Sequence, residues 1–476
     1  MTHYLRIVIN GSNVCYLKEC ARERNNMSNQ FQLLKEQRFR PFFFTQFLGA
    51  FNDNVFKTAL ITLVAFHAAS LSSIDGGTLS TLLPGIFILP FFLFSATAGQ
   101  IADKYEKSQI IRLVKVFEIS IMAYASAGFF LHNILLLGAA LFMMGMHSTL
   151  FGPVKYSYLP QHLKGSELIG GNGMVEMGSF VAILLGQILG AWLATVTNHE
   201  IFTSITILVI AVLGYSTSRG VPSSPAADSM LNINWNPITE TIRNIKLIWG
   251  QQQIWLAIIA ISWFWFYGAT LLAQFPNLAK DVLHGDESVF ILLLSVFSIG
   301  IGLGSLLCEK LSKGRIELGL VVLGAIGLSV FGADLYFSAT SLHDGCSYKC
   351  LFDFQSFIMI DYHNADGHLN WTNWRLLGDI GLIGLFGGFY IVPLYVLIQT
   401  RSQAGFQSRV IAANNIVNAL FMVISAGFSV LIFSNGYSIP QLFLATASLN
   451  IIVTIYLCMG QPEYWRTFVA WTKQLI

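Results

Sequence analysis

Charge is scarce in this chain. Asp, Glu, Lys and Arg make up 11% of its 476 residues, against about 25% in soluble domains. So few polar groups cannot cover a chain of this length in water, and lipid must be the solvent for most of it. An excess of either sign is also missing: the net charge is +2, which removes any general attraction to nucleic acid. The six cysteines, Cys15, Cys20, Cys308, Cys346, Cys350 and Cys458, lack the paired spacing of zinc or redox motifs. The ten histidines form no metal-ligand spacing in an apolar run, so no metal or other cofactor is expected. None of them has Asp five positions later, so a base with its orienting acid is missing. An acyltransferase, and an enzyme generally, is not expected.

What is present is apolar. Hydrophobic residues make up 54% and aromatics 13%, with 38 Phe. A spanning helix needs about 20 mostly apolar residues. Stretches near 41–66, 79–101, 109–130, 134–153, 167–195 and 201–218 qualify, and a second set lies near 252–275, 289–308, 316–338, 376–399, 410–434 and 439–460. The expectation is an all-α membrane protein of twelve transmembrane helices in two six-helix, pseudo-symmetric halves. A leader (1–40) precedes the first half (41–219), a polar linker (220–250) joins it to the second (251–460), and a tail (461–476) follows. Of the 27 Lys and Arg, only Lys280, Lys349 and Arg375 fall in loops on one side, and Lys57 and Lys115 lie within spans. The positive-inside rule then puts both termini in the cytoplasm.

The basic leader (Arg6, Lys18, Arg22, Arg24, Lys35, Arg38, Arg40) has one apolar stretch, Ile7–Ile9, too short for a signal-peptide core. Either Met27 is the start or the leader is a cytoplasmic tail. In the linker, Pro237–Trp249 is amphipathic and is expected to lie along the membrane surface. The long outer loop 339–375 holds Cys346 and Cys350, and both a disulfide and free thiols fit their spacing.

The two halves repeat. Ile169-Gly-Gly-Asn172-Gly-Met-Val-Glu176 opens the fifth span, and Ile411-Ala-Ala-Asn414-Asn-Ile-Val-Asn418 opens the eleventh. Gly152-Pro153 near the end of the fourth span answers Val392-Pro393 in the tenth, and Gly99-Gln-Ile-Ala-Asp103 answers Gly304-Ser-Leu-Leu-Cys308. In transporters, repeats of this kind place the substrate site at their interface. The Gly99/Asp103 loop has a mechanical reading. Asp103 can accept N–H bonds at a neighbouring helix N-terminus, where the dipole favours an anion, while Lys104 and Lys107 offer partners to carboxylates or lipid phosphates. Together they would latch the halves in one access state.

Ionisable groups at bilayer depth are functional candidates by default. Asp53 lies about 18 Å along the first span, flanked by Asn52 and Asn54, with Lys57 one turn on. Asp53 either faces the central cavity, to bind a cation, a proton or a cationic headgroup, or pairs with Lys57 as a structural cross-link. Lys115 and Glu118 are spaced to neutralise each other. Asn172 and Glu176, with Asn414 and Asn418, suggest a polar ring drawn from both halves. Asp379 is expected to be interfacial, Asp334 to snorkel outward, and His147 to be a packing hydrogen-bonder. Trp263, Trp265 and Tyr267 either line an apolar pathway or pack against lipid.

The two halves and the Gly-x-x-x-Asp loop resemble the major facilitator superfamily. TQFLGAFNDNVFK (45–57), GQIADKYEK (99–107), FGPVKYSYLP (151–160), GGNGMVEMGSFVAILLG (170–186), GGFYIVPLYVLIQ (387–399) and AANNIVNALFMV (412–423) are similar to its bacterial lysophospholipid transporter branch. That resemblance implies a multi-pass inner-membrane carrier, a monomer, moving lysophospholipids such as lyso-phosphatidylethanolamine from the outer to the inner leaflet by alternating access. A separate acyltransferase would consume them. It matches Asp53 and Glu176 to the acidic residues of the first- and fifth-span motifs. It departs at Glu118 and at Leu271-Leu272, where simpler members carry basic residues, and Lys115 is the substitute at hand. Coupling to Na⁺ or H⁺ stays open, as does the alternative of a facilitator for another amphiphile or a small metabolite such as a siderophore.

Overall fold

The computed structural model describes residues 30–71, 76–340, 352–359, 371–403 and 405–475. The Ile7–Ile9 stretch, Met27, Cys346, Cys350 and most of the loop 339–375 lie outside the described residues. The first half comprises α1 (Arg40–Leu71), α2 (Gly76–Lys104), α3 (Lys107–Phe130), α4 (Ile134–His162), α5 (Leu168–Thr195) and α6 (His199–Ser218). The linker ends in α7 (Pro237–Trp249), which Asn236 caps through the N–H groups of Ile238 and Thr239. The second half comprises α8 (Gln252–Asn277), α9 (Glu287–Ser312), α10 (Gly319–Thr340), the short α11 (Phe354–Met359), α12 (Trp371–Arg401), α13 (Gln407–Ser434) and α14 (Ile439–Gly460). A surface helix, α15 (Glu463–Leu475), follows.

Among the described residues, eleven helices are long and apolar enough to cross a membrane. The 32-residue α1 packs along α5 and α6 as the twelfth. Pairing within each half follows one pattern. In the first, α1 contacts α5 and α6, α2 contacts α4, and α3 contacts α4 and α6. In the second, α8 contacts α13 and α14, α9 contacts α12, and α10 contacts α12 and α14. These are the same partners at the same ordinal positions, so the repeat legible in the residues is a repeat of architecture. The halves meet along α2–α13 and α5–α9.

Small residues make these pairings possible, because lipid supplies no hydrophobic force between helices and close backbone approach must supply contact instead. A Cβ on Gly145 of α4 would lie 2.2 Å from the Phe87 carbonyl oxygen of α2. In the second half, a Cβ on Gly304 of α9 would lie 2.0 Å from the Leu385 carbonyl oxygen of α12.

One boundary differs from expectation. The apolar run predicts a fourth span ending near Pro153, whereas α4 continues through Pro153 and Pro160 to His162. A helix-interior proline costs about 3 kcal/mol. The extra turns bury Tyr156 and Tyr158, the latter stacked at 4.4 Å on Phe42 and 4.1 Å on His162, and each large apolar burial returns about 1.5–3 kcal/mol. Lys155, placed by the sequence reading in a loop, therefore lies inside a helix.

Gly304→Ala should destabilise the folded protein by about 1–3 kcal/mol through overpacking, lowering its melting temperature in detergent. Gly85→Ala, whose added Cβ would meet nothing within 4 Å, should leave melting unchanged. Equal melting of the two variants would contradict the packing account.

Candidate substrate pathway and its seam

The bundle has a linker side, which carries the α2–α3 turn and the linker, and an opposite side. Burial runs along the two seam helices as a gradient. In α2, only Leu83 and Pro90 are buried between Leu82 and Phe94, whereas only Thr97 and Ile101 are not buried between Ser95 and Asp103. In α13, only Asn415 is not buried between Ser408 and Ala419, whereas only Ser425 and Ser429 are buried between Leu420 and Val430. The halves are therefore closed on the linker side and parted on the other.

Polar contacts between the halves concentrate at the closed side. Asp103 of α2 is fully buried and accepts from the Ser408 backbone N–H at 3.2 Å and from Arg409 Nε at 2.9 Å, at the first turn of α13. The helix dipole adds to the charge pairing there. Arg409 also donates to the Gly405 carbonyl (2.8 Å) and stacks on Phe406 at 3.9 Å. Ser408 and Ser157 share a hydroxyl hydrogen bond of 3.0 Å. Gly99 sets the spacing, since a Cβ there would lie 2.6 Å from Ala412 Cβ. On the other seam, Asn172 and Gln399 exchange two amide hydrogen bonds, 2.8 and 2.9 Å. Gln30, before α1, donates to Glu309 and to the Leu306 carbonyl of α9. Among the described residues, Lys104 and Lys107 form no ion pair with a carboxylate: Lys104 Nζ sits 5.7 Å over the Tyr105 ring, and the Lys107 ammonium is buried without a hydrogen-bond partner.

Just inside this seam lies a buried acid. Glu176 Oε1 accepts from Tyr156 Oη at 2.6 Å, and Tyr156 stacks face to face on Tyr395 of the second half, 4.2 Å apart. Beside Tyr156, Lys155 Nζ donates to Ser179 Oγ at 2.9 Å, one turn along α5 from Glu176. Across from them, the Asn414 side chain and the Trp265 Nε1–H are buried beside the Tyr395 hydroxyl. Lys155, Tyr156, Tyr395 and Arg409 were missed from sequence, whereas Trp265 was read as lining an apolar pathway or packing against lipid. The readable signal for the first two was the aromatic run Tyr156–Leu159 continuing past Pro153.

The remaining expected residues lie elsewhere. Lys115 and Glu118 pair at 2.6 Å inside the first half with no exposure, Asn52 donates to Glu118 at 2.7 Å, and His147 Nε2 lies 3.3 Å from it. Glycines make the room: the Lys115 ammonium lies 2.5 Å from where a Gly49 Cβ would be. Asp53 accepts from Ser148 at 2.7 Å instead of ion-pairing with Lys57, whose ammonium sits 5.3 Å over the Phe87 ring. An i,i+4 pair is optional in a helix, and here α4 and α2 offer each group a closer partner. Asn54 bonds its own helix at the Ala50 carbonyl and packs on Gly186. Asn418 accepts from Ser262 within the second half, so Asn418 does not complete a ring. Trp263 donates to Asn450 (2.8 Å) and Tyr267 to the Leu328 carbonyl (2.9 Å), both buried inside the second half and facing neither lipid nor a pathway. Asp379, expected to be interfacial, is buried and accepts from Ser338 at 2.8 Å, while Asp334 pairs with Arg375.

Two matching helical halves, buried against each other on one side around a polar centre and exposed on the other, define a polytopic membrane transporter. The chain belongs to the Major Facilitator Superfamily, whose family model matches residues 42–346. It is similar to the lysophospholipid transporter LplT of an Enterobacter species, 23% identical over 75% of this chain and 79% of that one. The LplT of Escherichia coli is 22% identical over 88% and 94%. Among solved structures, a bacterial homologue of the iron transporter ferroportin in an outward-facing state aligns with a TM-score of 0.60 at 14% identity, over 88% of this chain and 99% of that one. The human organic anion transporter TETRAN aligns at 0.62 and 11%, over 88% and 99%.

Removing one partner of a buried ion pair typically costs about 3–5 kcal/mol. Arg409→Gln should therefore raise hydrogen exchange at 95–103 and 408–419 without unfolding the rest, and adding Asp103→Asn should cost much less than the sum of the two. Full additivity would mean that the pair does not hold the seam. A second test concerns Glu106, which caps α3. Burial raises its carboxyl, but bonds from the Ser224 N–H (2.5 Å), Ser108 and Gln109 outweigh this and hold it below the ordinary carboxylate range. That stabilisation is present at neutral pH and is lost as pH falls through the lowered value. Exchange protection of linker residues 221–228 should fall on acidification in the native protein, and Glu106→Gln should abolish that dependence.

Proposed function

We propose that the chain carries lysophospholipids, such as lyso-phosphatidylethanolamine, from the outer to the inner leaflet of a bacterial inner membrane by alternating access. The observation that carries this reading is that a buried lysine and a buried acid lie close together beside the seam, Lys155 bonded to Ser179 and Glu176 bonded to Tyr156. A zwitterionic headgroup has one phosphate and one ammonium, and these two side chains answer both charges. The acyl chain would leave through the parted outer halves of α2 and α13, where Leu89, Leu93, Val423 and Ile424 are exposed. The names of the LplT relatives support the same substrate class.

Lys155, and not the internally paired Lys115, stands in for the basic residues that this chain lacks at Glu118 and Leu271-Leu272. Asp103, Gly99, Ser408 and Arg409 act as the latch of the outward-open state. The positive-inside rule puts the linker side and both termini in the cytoplasm, so the opening faces the outer leaflet. The chain makes and breaks no covalent bond, acts as a monomer, and leaves re-acylation to a separate acyltransferase. Asp53, held by Ser148 inside the first half, is the position for Na⁺ or H⁺ coupling.

Uptake of labelled lysolipids into spheroplasts tests this. Glu176→Gln should cut lyso-phosphatidylethanolamine uptake at least tenfold, about 1.4 kcal/mol, while sparing lyso-phosphatidylglycerol, which has no ammonium. Lys155→Ala should cut both. Asp53→Asn should abolish transport in a folded, inserted protein and remove the response to collapse of one ion gradient. Absence of protein-dependent uptake of any lysolipid would sink the reading in favour of a carrier for a small metabolite.

A further inference from the structure

Away from the seam, the second half carries a crevice that transport does not use. The surface helix α15 is fastened across the linker-side ends of α10 and α14. Glu463 receives both Arg401 Nη atoms, at 2.8 and 2.6 Å, Trp471 donates to the Leu311 carbonyl at 3.3 Å, and Gly319 lets the α15 backbone approach, with Phe468 Cα 2.8 Å from where a Cβ would be. Between these helices opens a cavity of about 400 Å³, lined by Ile326, Ile455, Met459, Trp465 and Arg466 among others. Through Val322, Thr454 and Cys458 it continues into a recess of about 10 Å³ walled by Tyr390 and Tyr464.

Two features identify the occupant. At the rim, Arg466 is exposed and forms no ion pair among the described residues, beside the exposed Trp465, a residue suited to the headgroup level. From Val322 to Ile326 the crevice runs about 6 Å along α10 at 1.5 Å per residue, the length of the first part of an acyl chain.

We propose that this crevice binds one anionic diacyl phospholipid from the linker-side leaflet. Arg466 holds the phosphate, and an acyl chain lies along Ile326, Ile455 and Met459. Because the site lies on the outside of the second half, its lipid is a fixed component of the protein and not cargo.

Native mass spectrometry of the full, delipidated chain titrated with dioleoyl phosphatidylglycerol or dioleoyl phosphatidylcholine tests the proposal. One phosphatidylglycerol should be retained per chain, at least tenfold more tightly than phosphatidylcholine. Arg466→Gln should erase that preference, and Met459→Trp should reduce retention of both lipids by filling the crevice. Both positions are exposed, so both variants are expected to fold, and unchanged melting in detergent checks this. Equal retention of the two lipids by the native chain, or an unaltered preference in Arg466→Gln, would overturn the proposal.

Discussion

At the linker end of α2, a carboxylate with no exposure meets the first turn of a helix from the other half. A charge in that position is tolerable only when opposite charge and hydrogen bonds surround it. Asp103 obtains both from α13, through the Arg409 guanidinium and the Ser408 N–H, and Gly99 one turn away sets how close α13 can come. Since every one of these partners belongs to the opposite half, the stabilisation exists only while the seam is shut. Opening it must expose both charges to water. The burial gradients along α2 and α13, the Asn172–Gln399 exchange and the Gln30 contact with α9 follow from that closure.

The halves share a pairing scheme but spend their polar groups differently. In the first half, an ion pair with its satellites (Lys115, Glu118, Asn52, His147) ties α1, α3 and α4 together where a lysine fits only against glycine. In the second, neutral hydrogen bonds serve the same purpose: Trp263 to Asn450, Tyr267 to the Leu328 carbonyl, and Ser262 to Asn418. Partners within a half survive a rocking motion, and partners across the seam do not. This separates residues that hold one half together from those that join the two halves. Glu176 and Lys155, hydrogen-bonded within the first half yet stacked through Tyr156 against Tyr395, sit where the two kinds meet.

Much was legible in the residues themselves. Scarcity of charge set the solvent, apolar runs of about 20 residues set the helices, and matched landmarks in the two halves announced the repeat. These are local properties, summed along the chain, which is why they can be read without coordinates. The choice of partner was not legible. Asp53 and Lys57 have the spacing of a pair, yet each found a better neighbour on another helix. Lys155 was hidden by a proline that the packing of Tyr156 and Tyr158 overrides, and Arg409 by lying just before the expected start of the eleventh span. Which polar groups meet depends on contacts between residues far apart in sequence, where close approach at a glycine or the burial of a ring outweighs local preference, and only the tertiary structure decides those.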